Sequence, residues 1–273
     1  PEPPPVDVVV HAAAHVDEWS PWALHDAVTV GGTRAVLDTW PRARLVLISS
    51  ASVYPLRSRD RGRRKGQVLS EDDAPTRRPL SSYARAKIAQ EQLVRLRSDA
   101  VVLRPHAVHG PGDTTLLPRL SRARRHGRLL CPGGAQTLVH LTDVGLLAAA
   151  VVAACEVTEP RPTTPAPLCL NVADAEPLTL REVATGVAAA NGWPERPLFT
   201  GSPAAWATAL ACEGAAHLVH ARSAPLLTAY AVSHLAVSRT FATARMTAEL
   251  GVVPRPTDLS RWVLSPSPTD DRP

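Results

Sequence analysis

Four short apolar runs, each separated from the next by enough residues for a helix, constrain the fold of this chain more than any other feature. They lie at residues 6–10, 44–48, 101–104 and 168–172. Apolar runs of this length without polar alternation are typical of parallel strands that are buried on both faces. Strands that alternate with helices favour a parallel sheet with helices on both of its faces. The sequence therefore predicts an α/β fold, a doubly wound parallel sheet.

The segments between and after these strands have the pattern of helices. Gly31 and Gly32 lie inside the first of them, and because glycine costs helix stability we expect that helix to pack closely on a neighbour. Thr179 and Glu182 have the spacing of a capping box. Two apolar segments near the end of the chain, 204–221 and 226–237, are interpreted as part of the core. The alternatives are a lid over an apolar substrate or a membrane-surface helix. The predicted helices are 22–40, 82–97, 143–154, 179–191, 204–221 and 226–237, and residues 116–134 are predicted to form a helix and a turn.

Small or hydroxyl-bearing residues follow the predicted strands. His11, Ala12 and Ala13 come after the first strand, and a serine-rich segment at 49–54 comes after the second. The third strand leads into a turn at 105–113 that is rich in proline and glycine. The carboxyl ends of parallel strands form the edge at which open α/β sheets bind ligands, so these turns are candidate binding sites. Core packing of the alanines and capping by the serines are the structural alternatives.

Tyr83 and Lys87 stand four residues apart at the start of a predicted helix, so their side chains share one face. An ammonium near a phenol favours the phenolate, and we expect Lys87 to lower the pKa of Tyr83 toward the range of a general acid/base. The chain has three tyrosines and two lysines, so this spacing arises by chance with a probability of about 0.02. The alternative is an exposed pair on an amphipathic helix.

Composition excludes several function classes. The net charge is +5, but the arginines are scattered and aromatic residues make up 4% of the chain, so we expect no nucleic-acid partner. The four cysteines are too widely spaced for a metal site and are expected to be reduced thiols. No signal peptide and no integral membrane segment is predicted, which favours a cytoplasmic protein. The charged run at 57–66 is interpreted as a solvated loop, with a clamp for an acidic ligand as the alternative.

Six motifs follow one another over roughly the first 145 residues: His11–Ala14, Val30–Thr33 with Leu37, Ser49–Tyr54, Tyr83 with Lys87, Leu103–Asp113, and His140 with Asp143. In this order they resemble the extended short-chain dehydrogenase/reductase family, which is also called the NAD-dependent epimerase/dehydratase family. The resemblance implies a Rossmann-like sheet, an NAD or NADP cofactor, a small-molecule substrate and hydride transfer, and it allows a homodimer.

The resemblance assigns roles residue by residue. Tyr83 resembles the catalytic acid/base, Lys87 the residue that lowers its pKa and holds the nicotinamide ribose, and Ser50 the hydroxyl that binds the substrate oxygen. Tyr83 would take a proton from a substrate hydroxyl while hydride leaves the same carbon, or the reverse. The predicted cofactor contacts are His11, Ala12, Ala13, Ser49, Tyr83, Lys87, Pro105 and His106, and the predicted substrate contacts are Ser52 and His109.

The resemblance also predicts two domains. Residues 1–112 and 138–173 would form a dinucleotide-binding domain, and residues 113–137 and 174–273 a smaller, mostly helical substrate-binding domain. The glycine-rich turn with which the family opens does not precede residue 6. We therefore expect an N-terminally truncated form of the fold.

The substrate prediction depends on local departures from the family pattern. Ala51 and Ser52 stand where dehydratases of the family have Asp-Glu, and Ala107 stands where sugar-nucleotide epimerases usually have asparagine. The leading prediction is an oxidoreductase of an apolar alcohol or ketone, of which a sterol is one example; the alternatives are a sugar-nucleotide epimerase or reductase, and a non-catalytic or degenerate dinucleotide-binding protein. The segments 103–106, 110–113, 117–120, 239–241 and 250–251 resemble the 3β-hydroxysteroid dehydrogenase branch.

Overall fold

The computed structural model describes residues 3–56, 67–157, 166–221 and 223–264. The predicted charged loop at 57–66 and the tail after 265 lie outside the described residues. The strands are β1 Val8–His11, β2 Arg44–Ile48, β3 Gln67–Leu69, β4 Val101–Pro105, β5 Val108–His109, β6 Arg124–Arg125, β7 Arg128–Cys131, β8 Leu138–Val139, β9 Thr142–Asp143, β10 Leu168–Val172, β11 Leu178–Thr179, β12 Leu198–Phe199 and β13 Arg239–Phe241.

Most of the helices lie in predicted segments, but the helix at Ala244–Leu250 was not predicted. A π-helical segment, Asp26–Val30, joins α1 to α2, and a 3₁₀ turn at Ala51–Val53 follows β2. Among the described residues, no helix is both long and apolar enough to cross a membrane. The helices are α1 Trp22–His25, α2 Gly31–Thr39, α3 Ser82–Val94, α4 Leu116–Arg122, α5 Val144–Glu156, α6 Leu180–Ala190, α7 Ser202–Leu218, α8 Ala229–Leu235 and α9 Ala244–Leu250.

The chain forms two compact units. Unit 1 comprises Pro1–His106, Leu146–Ala173 and Phe241–Pro254, and unit 2 comprises Ala107–Gly145, Asp174–Thr240 and Arg255–Pro273. The predicted domain boundary at 112/113 lies six residues after the observed one, and the segment that carries α9 belongs to unit 1 rather than to the second domain. The roles predicted for the two domains remain predictions.

Unit 1 is built on a four-stranded sheet in the order β1-β2-β4-β10, and all neighbouring strands are parallel. Successive side chains of each strand point to opposite faces of this sheet. On one face, Val46, Leu103 and Leu170 pack with α5 and with Met246 of α9. On the other face, Leu45 and Leu47 pack with Val94 of α3 and with α2. Helices on both faces of a parallel sheet confirm the predicted doubly wound fold.

The helix that carries Gly31 and Gly32 packs on its neighbours as expected, through Thr33, Val36 and Leu37, but the glycines are not its contact points. A Cβ at Gly32 would meet no atom within 4 Å, and one at Gly31 would meet the Asp26 carbonyl oxygen at 3.4 Å, which belongs to the adjoining π-helical segment. The two glycines therefore do not mark a close helix contact.

Unit 2 has its own core. Leu117 of α4, Leu129 of β7 and Leu180 and Val187 of α6 surround Trp262, and a smaller cluster joins α7 to α8 through Ala205 and Val232. β6 and β7 form an antiparallel hairpin, β12 pairs in parallel with β7, and β8 pairs with β11. The capping box of α6 is present: Thr179 Oγ1 accepts from Glu182 N at 3.2 Å, and Glu182 Oε2 accepts from Thr179 N at 2.7 Å.

Candidate active site

Unit 1 brings the three predicted catalytic residues together at the carboxyl end of β2. Ser81 caps α3, because its side chain accepts from Ala84 N at 3.1 Å, and this places Tyr83 and Lys87 on one face within the first two turns. Ser50 caps the 3₁₀ turn after β2 and accepts from Ser52 N at 3.1 Å. The Ser50 and Tyr83 side chains are hydrogen-bonded to each other.

Tyr83 holds its proton more tightly than the sequence predicted. Burial raises the pKa of Tyr83 above its usual value because it disfavours the phenolate, and the hydrogen bond with Ser50 opposes this effect without reversing it. The predicted lowering of the Tyr83 pKa by Lys87 is therefore not seen. At neutral pH the phenol is a hydrogen-bond donor, and it lies in a half-buried position beside a second hydroxyl.

Lys87 is the buried cation of the site, with 3% of its surface exposed. Its Nζ donates to the Ile48 carbonyl oxygen at 2.8 Å and lies 5.9 Å from the centroid of the Tyr83 ring. Burial lowers the pKa of Lys87 to about 8, and the negative charge of Glu91 opposes this shift. The ammonium is therefore present at neutral pH and is lost under mildly alkaline conditions.

Sequence reasoning missed a buried ion pair next to this cluster. Arg104 of β4 donates to both carboxylate oxygens of Glu91, from Nε to Oε1 at 2.9 Å and from Nη2 to Oε2 at 2.7 Å. Ser49 Oγ donates to the same Oε1 at 2.6 Å. Burial alone would lower the pKa of Arg104, but the bonds and charge of Glu91 outweigh it and raise that pKa. The four-residue step from Lys87 to Glu91 was the signal in the sequence.

The hydrogen-bonded chain continues away from the ion pair. Arg104 Nη1 donates to the Tyr54 hydroxyl at 2.9 Å, and that hydroxyl donates to Asn171 Oδ1 at 2.7 Å. Burial raises the pKa of Tyr54 to about 12, against the effect of Arg104. Tyr54 is therefore a neutral link that connects the end of β2 to β4 and β10.

Some predicted cofactor contacts have an exposed backbone, whereas the side chains of the others contact neighbouring protein groups. Ala12 and Ala13 are exposed just after β1, where a ligand can approach the main chain. His11 Nε2 lies 2.9 Å from Thr33 Oγ1. Ser49 is bonded to Glu91 as described, Pro105 is buried, and the buried ring of His106 packs 4.9 Å from that of Phe241. The side chains of His11, Ser49 and His106 thus make contacts within the protein in this structure.

The two predicted substrate contacts are both buried. Ser52 is 6% exposed, and its hydroxyl has no hydrogen-bond partner among the described residues. His109, in unit 2, is 1% exposed; its Nε2 lies 2.9 Å from Asp174 Oδ2, and its ring packs on Trp262. His109 thus has protein partners in this structure, and the contact of both side chains with substrate remains a prediction.

The arrangement fits one end of a nicotinamide cofactor. A buried ammonium next to two partly exposed hydroxyls offers donors for ribose and substrate oxygens, and the exposed backbone at Ala12 and Ala13 lies at the same carboxyl edge of the sheet. No group of three or more metal-ligating side chains is found among the described residues.

Comparison with known proteins agrees with this fold. The 2-alkyl-3-oxoalkanoate reductase of Stenotrophomonas maltophilia is 29% identical over 258 residues, which cover 92% of this chain and 76% of that protein. The human sterol-4-alpha-carboxylate 3-dehydrogenase, decarboxylating, is 30% identical over 152 residues, 51% of this chain and 38% of that protein.

Solved structures show the same fold. UDP-glucuronic acid 4-epimerase from Bacillus cereus in complex with NAD has a TM-score of 0.65 at 20% identity, covering 94% of this chain and 72% of that one. MoeE5 in complex with UDP-glucuronic acid and NAD has a TM-score of 0.64 at 24% identity, covering 94% and 76%. The sequence model of the NAD dependent epimerase/dehydratase family matches residues 2–164. The chain therefore belongs to the NAD dependent epimerase/dehydratase family, as its motifs predicted.

Proposed function

We propose that this protein is an NAD(P)-dependent oxidoreductase that interconverts an apolar 3-oxo carboxylate and the corresponding 3-hydroxy carboxylate. The observation that carries the proposal is the cluster of Ser50, Tyr83 and Lys87 in unit 1, in which a protonated phenol is bonded to a second hydroxyl beside a buried ammonium. Such a cluster suits proton transfer to or from a substrate oxygen.

The names of the relatives support the substrate class. A 2-alkyl-3-oxoalkanoate carries its carboxylate on the carbon next to the reacting carbonyl carbon. A sterol 4α-carboxylate that reacts at carbon 3 has the same arrangement. Both molecules are otherwise apolar, which agrees with the prediction of an apolar alcohol or ketone. The shared unit is a carboxylate, one substituted carbon, and the carbon whose oxygen is reduced or oxidised.

Each residue of the cluster has one task in this reaction. In the reducing direction, Tyr83 donates its proton to the carbonyl oxygen, and Ser50 donates a hydrogen bond to the same oxygen. A bound NAD(P)H supplies the hydride that the carbonyl carbon accepts. The Lys87 ammonium holds ribose hydroxyls and favours the phenolate that remains after the proton has left. In the oxidising direction, Tyr83 takes the hydroxyl proton back.

The experiment compares substrates in the oxidising direction, because 3-hydroxy acids are chemically more stable than 3-oxo acids. The protein is supplied with NAD or NADP and with one of three compounds: a 2-alkyl-3-hydroxyalkanoate, a secondary alcohol of equal length without the carboxylate, or UDP-glucuronic acid. Formation of reduced nicotinamide is followed by absorbance. We expect turnover of the hydroxy acid, at least tenfold slower turnover of the plain alcohol, and no turnover of the UDP-sugar.

Tyr83→Phe is the decisive variant, and Tyr230→Phe is its matched control. We expect Tyr83→Phe to lower kcat by about 10²- to 10⁴-fold while dinucleotide binding persists, since only the transferable proton is removed. Turnover of the UDP-sugar alone, or full activity of Tyr83→Phe, would overturn the proposal. Dinucleotide binding without turnover of any compound would favour a non-catalytic protein.

Two further expectations, a homodimer and a cytoplasmic location, belong with this proposal. A homodimer is tested by light scattering coupled to gel filtration, in which the mass should be twice 29.1 kDa. A cytoplasmic location is supported by the four cysteines, all of which are free thiols. Cell fractionation tests it, and recovery with the membrane pellet would contradict it.

A further inference from the structure

Three ionisable side chains stand at successive four-residue steps along one face of α3. They are Tyr83, Lys87 and Glu91, and each is therefore one helical turn from the next. The proposed function gives Tyr83 and Lys87 a role in the reaction but gives none to Glu91. Glu91 is 8% exposed and has both carboxylate oxygens engaged, so it is too deeply held to contact a substrate.

Glu91 connects α3 to the ends of two strands. Its bonds to Arg104 reach β4, and its bond to Ser49 Oγ reaches the residue directly before Ser50. Ser49 is also fixed through its main chain, because its N–H donates to the Leu103 carbonyl oxygen at 2.8 Å. The helix that carries Tyr83 and the turn that carries Ser50 thus share one buried carboxylate.

We propose that Glu91 is a positioning residue that aligns Ser50 with Tyr83 through Ser49 and places a negative charge beside the Lys87 ammonium. This inference rests on the proposed function. Glu91 acts through these other residues and takes no part in bond making.

A purely structural role explains the ion pair less well. Replacing a buried ion pair by apolar side chains of similar volume is often neutral or stabilising, so stability alone does not require the pair. The charge of Glu91, in contrast, has a direct effect on the neighbouring amine, since it opposes the loss of the Lys87 proton that burial promotes. A carboxylate at this place therefore serves the chemistry of the cluster.

Several other charged or titratable groups face the same amine. Burial lowers the pKa of His11 of β1, and the nearby charge of Lys87 adds to this effect. Tyr83 lies on the same helix, and Arg104 of β4 reaches the region through its bonds to Glu91. The Ile48 carbonyl oxygen of β2 accepts one ammonium proton. Among these groups, Glu91 supplies the negative charge that favours the ammonium.

The first test measures Lys87 directly and does not depend on turnover. The chain contains two lysines, Lys65 and Lys87, so selective ¹⁵N-lysine labelling gives two side-chain signals, which Lys65→Arg assigns. We expect Glu91→Gln to move the titration midpoint of Lys87 to lower pH by about one pH unit, because the opposing charge is lost. Glu213→Gln, a carboxylate in α7 that accepts from Ala229 N, is the control and should leave the midpoint unchanged. An unchanged midpoint in Glu91→Gln would refute the charge effect.

The second test separates positioning from folding. Glu91→Gln leaves Arg104 buried without its anion, which destabilises the fold, so the double variant Glu91→Leu/Arg104→Met removes both charges together. We expect a folded protein whose kcat is at least tenfold lower than that of the wild type, with a KM for substrate within about twofold and a basic limb of the pH profile shifted to lower pH. Restoration of wild-type kcat and pH profile in the double variant would show that the pair is only structural.

The outcomes distinguish this inference from the proposed function. If the wild-type protein turns over none of the compounds, the proposed function fails, whereas the Lys87 titration still reports whether Glu91 sets the charge of the amine. If the wild-type protein is active but the titration and the double variant both behave like the wild type, the positioning role fails and the proposed function stands.

Discussion

Burial acts on Tyr83 and Lys87 in the same sense, because it favours the neutral form of each side chain. It raises the pKa of the phenol and lowers that of the amine to about 8. A phenol that keeps its proton is suited to protonate a carbonyl oxygen, so the site in this state is prepared for the reducing direction. Lys87 must remain protonated at the pH of the reaction if its ammonium is to stabilise the phenolate that forms.

The pH dependence of reduction follows from Lys87. Its pKa of about 8 means that the amine is charged below that pH and neutral above it. We therefore expect kcat/KM for reduction to fall as the pH rises through about 8, measured with saturating reduced nicotinamide. In Lys87→Arg the cation persists at all accessible pH values, so this fall should be absent even though the rate is lower. The same basic limb in both proteins would contradict the assignment.

Ser52 offers a prediction about stability. Its buried hydroxyl has no partner among the described residues, and an unsatisfied buried hydroxyl costs free energy. Ser52→Ala should therefore raise the free energy of unfolding by about 1 kcal/mol, as measured by urea denaturation. Ser50→Ala, which removes a bonded hydroxyl two residues away, is the comparison and should not stabilise the protein. A raised KM in Ser52→Ala without a gain in stability would instead support the predicted substrate contact.

At the scale of elements, the capping box of α6 is an isolated test of local structure. Thr179→Ala removes the acceptor of Glu182 N and should lower the free energy of unfolding by about 1 kcal/mol. Thr185→Ala in the same helix removes a hydroxyl that bonds only helix carbonyls, at Arg181 and Glu182, and should be near neutral. Equal losses in the two variants would show that the cap contributes nothing specific.

The elements that the sequence predicted best are those with a local signal. The apolar run 44–48 and the run 168–172 coincide with β2 and β10, and the Thr179 cap marks the start of α6. The hairpin of β6 and β7 lies in the segment 116–134, which was predicted to form a helix and a turn, because its two short strands lack an alternating apolar pattern. The close packing of α2 was predicted from Gly31 and Gly32, but it is made by other residues of that helix, such as Thr33.

The spacing of Tyr83 and Lys87 could be predicted from the sequence, but the residues that surround this pair could not. Tyr83 and Lys87 are related by a four-residue step within one helix, whereas Arg104 meets Glu91 only because β4 and α3 pack together. The direction of the Tyr83 pKa was missed for the same reason. Burial depends on what the rest of unit 1 places around the phenol, and it outweighs the local effect that the spacing suggested.

At the scale of the whole molecule, stability rests on a separate core in each unit. Leu103 is 0% exposed and lies in β4 between the strands that carry most of the unit 1 core. Leu103→Ala should lower the free energy of unfolding by about 2–5 kcal/mol, since it leaves a cavity. Leu96→Ala is the matched control because Leu96 is 71% exposed, and its effect should stay within about 0.5 kcal/mol. Comparable losses would contradict the described core.

Met246 gives this core a reporter of its own. It is the single methionine of the chain, it is 0% exposed, and it packs beneath the sheet of unit 1 with α5. Labelling with ¹³C-methyl methionine therefore produces one methyl resonance, which needs no assignment. Its chemical shift and line width follow the packing of the sheet that supports Ser50 and Tyr83, so one spectrum per sample can register the addition of a dinucleotide or the loosening caused by a substitution.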